Sequence, residues 1–257
     1  MSITVTATVL GYLIVNDSNS EPGHSESLVA HRDSRPKSAD PRSVDPAAAG
    51  PAQLAVATSP DPSTGAKPTG ESTDAKDIYQ TASRQLDAGD PKGVATLTKA
   101  ATLGYAPAQF HLSTLYDKGA SGAAKDPAKA RLWAERAAQA GVPKAMYNLG
   151  LFLFDGKGGP PDLPAAAAWF RKAADLGLGD AQYNLARLYE NGYGVQQNAA
   201  QAYTWYLIAA NGGDQDARAD ATRIRASLDK TARTAAERAA NAFRPATSAT
   251  EDVANSR

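Results

Sequence analysis

His111 is the one histidine between Asp77 and Phe243. An imidazole beside a nucleophile or a carboxylate could serve as a general base. No serine or cysteine stands at motif spacing from it, and the chain contains no cysteine at all. That excludes a thiolate nucleophile, a thiolate metal site and a disulfide framework. Gly156-Lys-Gly-Gly159 could offer backbone N–H groups to a phosphate. It lacks the GxxxxGK[ST] order, however, and follows a helical pattern where a phosphate loop follows a strand. Asp117, Asp155 and Glu190 border loop glycines in three separate segments, so no acid–base couple emerges. Trp133, Trp169 and Trp205 could form a stacking platform for sugars or bases, yet they recur at one position of an apolar helix face. They read as core. No catalytic residue, cofactor site or metal ligand is assigned, and the chain reads as a non-enzyme.

The elements that would position such residues are set by a lattice. The three tryptophans are 36 residues apart, and glycines closing an Ala-Ala-x-x-Gly phrase fall at 104, 141, 177 and 213. A second series is Gly119, Gly156 and Gly192. Self-similarity at a period of about 20–50 residues marks stacked repeats. Each unit reads as two helices. Counting from Ala108, Ala145 and Ala181, apolar residues recur at +2, +4, +7 and +8, the spacing of one wide helical face. The glycine at +11 suits a left-handed helix terminus. A Gly-rich loop follows, and then a second helix carrying Ala130-x-x-Trp133, Ala166-x-x-Trp169 or Ala202-x-x-Trp205. Pro127 and Pro164 suit its first turn, where a missing N–H leaves nothing unpaired. Degenerate units flank the array. Ile78–Leu86 and Gly93–Gly104 precede it; a helix from Ala217 and a closing helix, Thr231–Phe243, follow.

Composition divides the rest. Residues 16–76 are rich in Pro, Ser, Asp, Ala and Gly and cannot bury enough apolar surface to offset ordering entropy, so they read as a disordered tether. The repeat domain is 77–244, about four helix pairs plus the closing helix, and 245–257 reads as a disordered tail. Residues 1–15 form an apolar segment, shorter than the roughly 20 residues that span a bilayer and without a basic n-region. Two readings stand for it: the remnant of a transmembrane anchor, or a short apolar stretch of no consequence. With 27 basic and 27 acidic residues the net charge is zero, and no basic face points to nucleic acid.

Ala181-Gln-Tyr-Asn-Leu-Ala-x-Leu-Tyr-x-x-Gly-x-Gly-Val, followed by Ala202-Tyr-x-Trp-Tyr and Ala209-Ala-x-x-Gly213, resembles the Sel1-like repeat, a relative of the tetratricopeptide repeat. The copies around Ser121–Ala124 and Pro160-Pro161 depart from its Gly-Val. The resemblance implies an all-α, right-handed solenoid of stacked helix-turn-helix units. The apolar segment, the tether, the Asp-Ala-Gly-Asp opening unit and the Ala-Ala-Glu-Arg-Ala closing helix resemble the periplasmic end of PodJ-type polar localisation proteins. That resemblance implies a membrane-tethered, periplasmic scaffold. The chain lacks the coiled-coil heptads of that group, which leaves open a smaller Sel1-like regulator of a sensor kinase.

Function is therefore sought on the surface. In helix-pair solenoids the first helices line the concave side. Their +1, +3 and +6 positions lie outside the apolar set, and the candidate partner-binding residues are Gln109, His111, Asn148, Gln182, Asn184 and Arg187. Amides and a guanidinium in a column suit an extended peptide, with a peptidoglycan strand as the alternative ligand. Asn148 and Asn184 equally suit bonds between neighbouring repeats.

Overall fold

The computed structural model describes residues 73–246. The apolar segment 1–15, the tether up to residue 72, and residues 247–257 lie outside the described residues. Ten helices and no strand make up the described part. They are α1 (Thr73–Asp87), α2 (Gly93–Thr102), α3 (Ala106–Lys118), α4 (Pro127–Gln139), α5 (Pro143–Asp155), α6 (Leu163–Asp175), α7 (Gly179–Asn191), α8 (Ala199–Asn211), α9 (Gln215–Arg225) and α10 (Lys230–Ala242). The pairs α1–α2, α3–α4, α5–α6 and α7–α8 pack most extensively, and each stacks on the next through α2–α3, α4–α5 and α6–α7. At the C-terminal end α9 and α10 both pack on α8.

The 36-residue lattice is a lattice of helix ends. Gly119, Gly156 and Gly192 terminate α3, α5 and α7 with φ of 68°, 68° and 73°, and their N–H groups donate to Leu115, Phe152 and Leu188 carbonyls. Asp126, Asp162 and Asn198 open α4, α6 and α8, their side chains accepting from the N–H of Lys129, Ala165 and Gln201. The N–H groups of the same three residues donate to the Tyr116, Leu153 and Tyr189 carbonyls at 2.8 Å. Each loop is thus fastened at both ends. Replacing such a cap by alanine costs about 1 kcal/mol. Asp162→Ala should therefore lower the melting temperature by roughly 2–4 °C for an array of this size, read by circular dichroism.

Small residues at one first-helix position let the two helices of a pair approach. Ser113 on α3 is buried and donates to the Ala130 carbonyl on α4 at 2.9 Å. The same position is Gly150 on α5, where the Phe170 ring of α6 comes so close that a Cβ would stand 2.7 Å from it. On α7 the position is Ala186, fully buried like Tyr206 at the Phe170 position of α8.

The tryptophans divide. Trp133 and Trp205 are 7% and 5% exposed, as a core reading expects. Trp169 is only half-buried, with the Lys172 ammonium 4.0 Å from its ring centroid. Trp205 lies under the Arg171 guanidinium, 5.0 Å from its ring centroid, and beside a feature with no counterpart in the lattice. Phe243 meets its ring edge-on, centroids 5.7 Å apart.

Both boundaries shift. α1 begins at Thr73, inside the stretch read as tether, because Asp74 favours a first helical turn and Ala75 is buried. Pro245 and Ala246 fall in the stretch that reads as a disordered tail. Instead the Ala246 N–H donates to the Asp175 carbonyl at 2.8 Å, and Pro245 lies against Gly177.

Candidate interaction surface

The first-helix columns carry two kinds of polar residue. At the +1 position, Gln109 and Gln182 are buried, and their amides donate to the Ala101 and Ala174 carbonyls at 3.1 and 3.2 Å. Arg218 on α9 does the same to Ala210 at 3.4 Å. These side chains tie each first helix to the C-terminal end of the second helix before it. Met146 holds the equivalent place on α5 and has no donor to offer.

The +3 position joins first helices to one another. Asn184 is 2% exposed and donates to the Tyr147 hydroxyl at 3.1 Å, 37 residues away. One repeat further on, Tyr183 donates to Asp220 across the same separation. On α3 the residue is His111, edge-on to Tyr79 with centroids 6.1 Å apart. Burial lowers its pKa against the opposing Asp87 charge, and its Nδ1 is buried without a hydrogen-bond partner. It has the surroundings of a packed ring. Of the six candidates, Gln109, Gln182 and Asn184 sit inside the packing, and each amide answers a polar group of the preceding unit. His111, Asn148 and Arg187 stay partly exposed.

Between α7, α8 and α9 lies a network that the sequence reading did not assemble. Glu190 accepts from the Tyr206 hydroxyl at 2.7 Å and from Arg223 at 2.6 and 3.0 Å. Arg223 also reaches Asp220 at 2.8 Å, and Tyr183 packs on Tyr206 with centroids 5.7 Å apart. Burial raises Tyr206 well above an ordinary phenol, reinforced by its bond to Glu190. Burial and the Asp220 charge push Tyr183 up to about 12. Both stay protonated donors. For Glu190, burial pulls upward, but the bonds from Arg223 and Tyr206 prevail and hold the carboxyl below its usual value. A depressed folded pKa means that stability is present above the unfolded value of about 4.3 and is lost as pH falls through the folded value. Urea midpoints taken from pH 6 down to pH 3 should fall, and Glu190→Gln should make that fall shallower.

A family model described as the Sel1 repeat matches residues 106–142, 143–178 and 179–214. Residues 106–214 are three Sel1 repeats. Over 136 residues the chain is 44% identical to localization factor PodJL of Caulobacter vibrioides, in both strains compared. That match takes in 50% of this chain and 14% of the relative, so the chain corresponds to a small part of that protein's length. Among solved structures, a Sel1 repeat protein from Oxalobacter formigenes is similar at 25% identity and a TM-score of 0.56, covering 66% of this chain and 74% of that one.

Within the Sel1 repeats the loop groups considered for chemistry are spent on packing. Lys157 of the Gly156–Gly159 loop pairs with Asp117. Gly158 lies against the Pro127 carbonyl, and the Arg131 guanidinium reaches the Pro160 carbonyl at 2.9 Å. Among the described residues no three His, Cys, Asp or Glu side chains gather as metal ligands do, and no helix is long and apolar enough to cross a membrane.

Proposed function

We propose that the chain is a non-catalytic adaptor whose Sel1 repeats hold a protein partner along their first-helix face, at a polar site of the cell envelope. The observation that carries this reading is the 44% identity to a localization factor over 136 residues, half of this chain. The adaptor is periplasmic and tethered to the membrane through its N-terminal segment, with the tether giving reach and the solenoid a rigid surface. Asn148 and Arg187, partly exposed on α5 and α7, are its partner-binding residues, with His111 beside them on α3. The buried +1 amides hold the face in shape.

Three experiments test this. Proximity labelling with the full chain should recover a partner set that Asn148→Ala/Arg187→Ala loses while its melting temperature is kept. A folded double variant that retains every partner would reject the first-helix face. Co-sedimentation with purified sacculi separates the alternatives: a protein adaptor stays in the supernatant, and a peptidoglycan binder pellets. A periplasmic reporter fused after residue 246 should be active; silence there would reject the location.

A further inference from the structure

The segment after α10 is a peptide already seated on the second-helix face. Its geometry has three parts. Phe243 stands edge-on to Trp205, Pro245 covers Gly177, and the Ala246 N–H donates to the Asp175 carbonyl at the end of α6 at 2.8 Å. An aromatic ring, a proline two residues later and one backbone N–H therefore meet an indole, a bare glycine and a helix-terminal carbonyl. Gly177 is at φ 87°, and its lack of a side chain leaves room for the proline ring.

The lattice repeats this seat 36 residues earlier. Trp169 takes the place of Trp205, Gly141 the place of Gly177, and the Gln139 carbonyl the place of the Asp175 carbonyl. Gly141 has φ 93°, and a Cβ there would meet nothing within 4 Å, whereas a Cβ at Gly177 would meet Pro245 at 3.0 Å. Trp169 is half-buried, whereas the seated Trp205 is 5% exposed. Lys172 over the indole is one flexible side chain that an incoming ring would share or displace. The third copy differs: Trp133 is already 7% exposed beneath Arg136, so its indole has little surface left to offer.

We propose that Trp169 and Gly141 form an open docking seat for an extended partner segment carrying an aromatic residue two positions before a proline, bound as Phe243–Ala246 binds its own chain. The seat rests on the reading of the array as a protein scaffold but lies on the second helices, apart from Asn148 and Arg187. A second copy's own tail is the weaker occupant, since each tail already has an intramolecular seat at far higher effective concentration.

The probe is a labelled peptide with the sequence of residues 241–246, titrated into the full chain. Binding is expected in about the 0.1–1 mM range, as suits so small a contact. Trp169→Ala should weaken it at least about tenfold. Gly141→Asn, a residue that tolerates positive φ and fills the proline position, should do the same with the fold intact. Phe243→Ala should add a second site by unseating the tail from Trp205. No binding to the wild-type chain at several millimolar, or binding that both seat variants leave unchanged, would overturn the proposal. So would concentration-dependent self-association abolished by Phe243→Ala, which would make the occupant another copy. Arg187→Ala separates the two faces. If it abolishes partner capture while the seat variants do not, the scaffold reading stands and the seat falls.

Discussion

Gly194→Ala is expected to destabilise the array by about 2–4 kcal/mol, the combined cost of a non-glycine residue at positive φ and an overpacked contact. Gly194 sits at φ 68° in the loop between α7 and α8. A Cβ there would stand 2.1 Å from the Leu163 carbonyl oxygen and 2.3 Å from its carbon, at the start of α6 in the preceding repeat. These are backbone atoms held by the Asp162 cap, so no side-chain rotation relieves the overlap. Gly158 repeats the contact against the Pro127 carbonyl at 2.2 Å. Gly122 is the same position in the first repeat, at φ 85°, and has open space around it; the second helix before it, α2, begins only at Gly93, later in its repeat than α4 and α6 begin in theirs. Gly122→Ala should therefore cost only the conformational term, about 1 kcal/mol. Urea unfolding of the three variants checks the order. Equal losses at positions 122 and 194 would mean that the interface contact contributes nothing.

This gradient shows why the fold was readable while the surface was less so. A periodic glycine announces a periodic backbone requirement, and Gly119, Gly156 and Gly192 all turned out to be left-handed helix ends. The caps Asp126, Asp162 and Asn198 follow the same period and were equally legible, but the prolines beside two of them drew the helix starts instead. The candidate site was harder because a polar residue's purpose depends on what faces it. Gln182 is drawn inward by a carbonyl eight residues earlier, and Asn184 by a hydroxyl 37 residues earlier. Neither partner is visible in a column of exposed-looking amides. Trp169 and Trp205 hold the same place in the repeat yet differ in cover. Trp205 is flanked by Arg171 and by Phe243, and Phe243 lies beyond the array and follows no period. The docking of Ala246 through a backbone N–H uses a group that every residue but proline possesses, so composition carried no sign of it.

Phe170→Ala should cost the most, about 3–5 kcal/mol, as removal of a fully buried ring does. Phe170 has no exposed surface, and its ring fills the space that Gly150 leaves open on α5 while packing on Tyr147 with centroids 5.7 Å apart. Gly150→Ala alone should also destabilise, by about 1–3 kcal/mol, because its Cβ would press on Phe170 ring carbons at 2.7 and 2.8 Å. The two losses should not add. With the ring gone, the methyl group at position 150 enters the vacated space, and alanine replaces glycine in a helix interior, a gain of about 1 kcal/mol. Gly150→Ala/Phe170→Ala should then be more stable than Phe170→Ala by roughly that amount. The coupling should exceed about 1 kcal/mol, well above what distant sites show. The equivalent positions of the neighbouring repeats hold Ser113 with Ala134 and Ala186 with Tyr206. A double variant no more stable than Phe170→Ala would show that Gly150 serves the backbone of α5 and leaves the ring unserved.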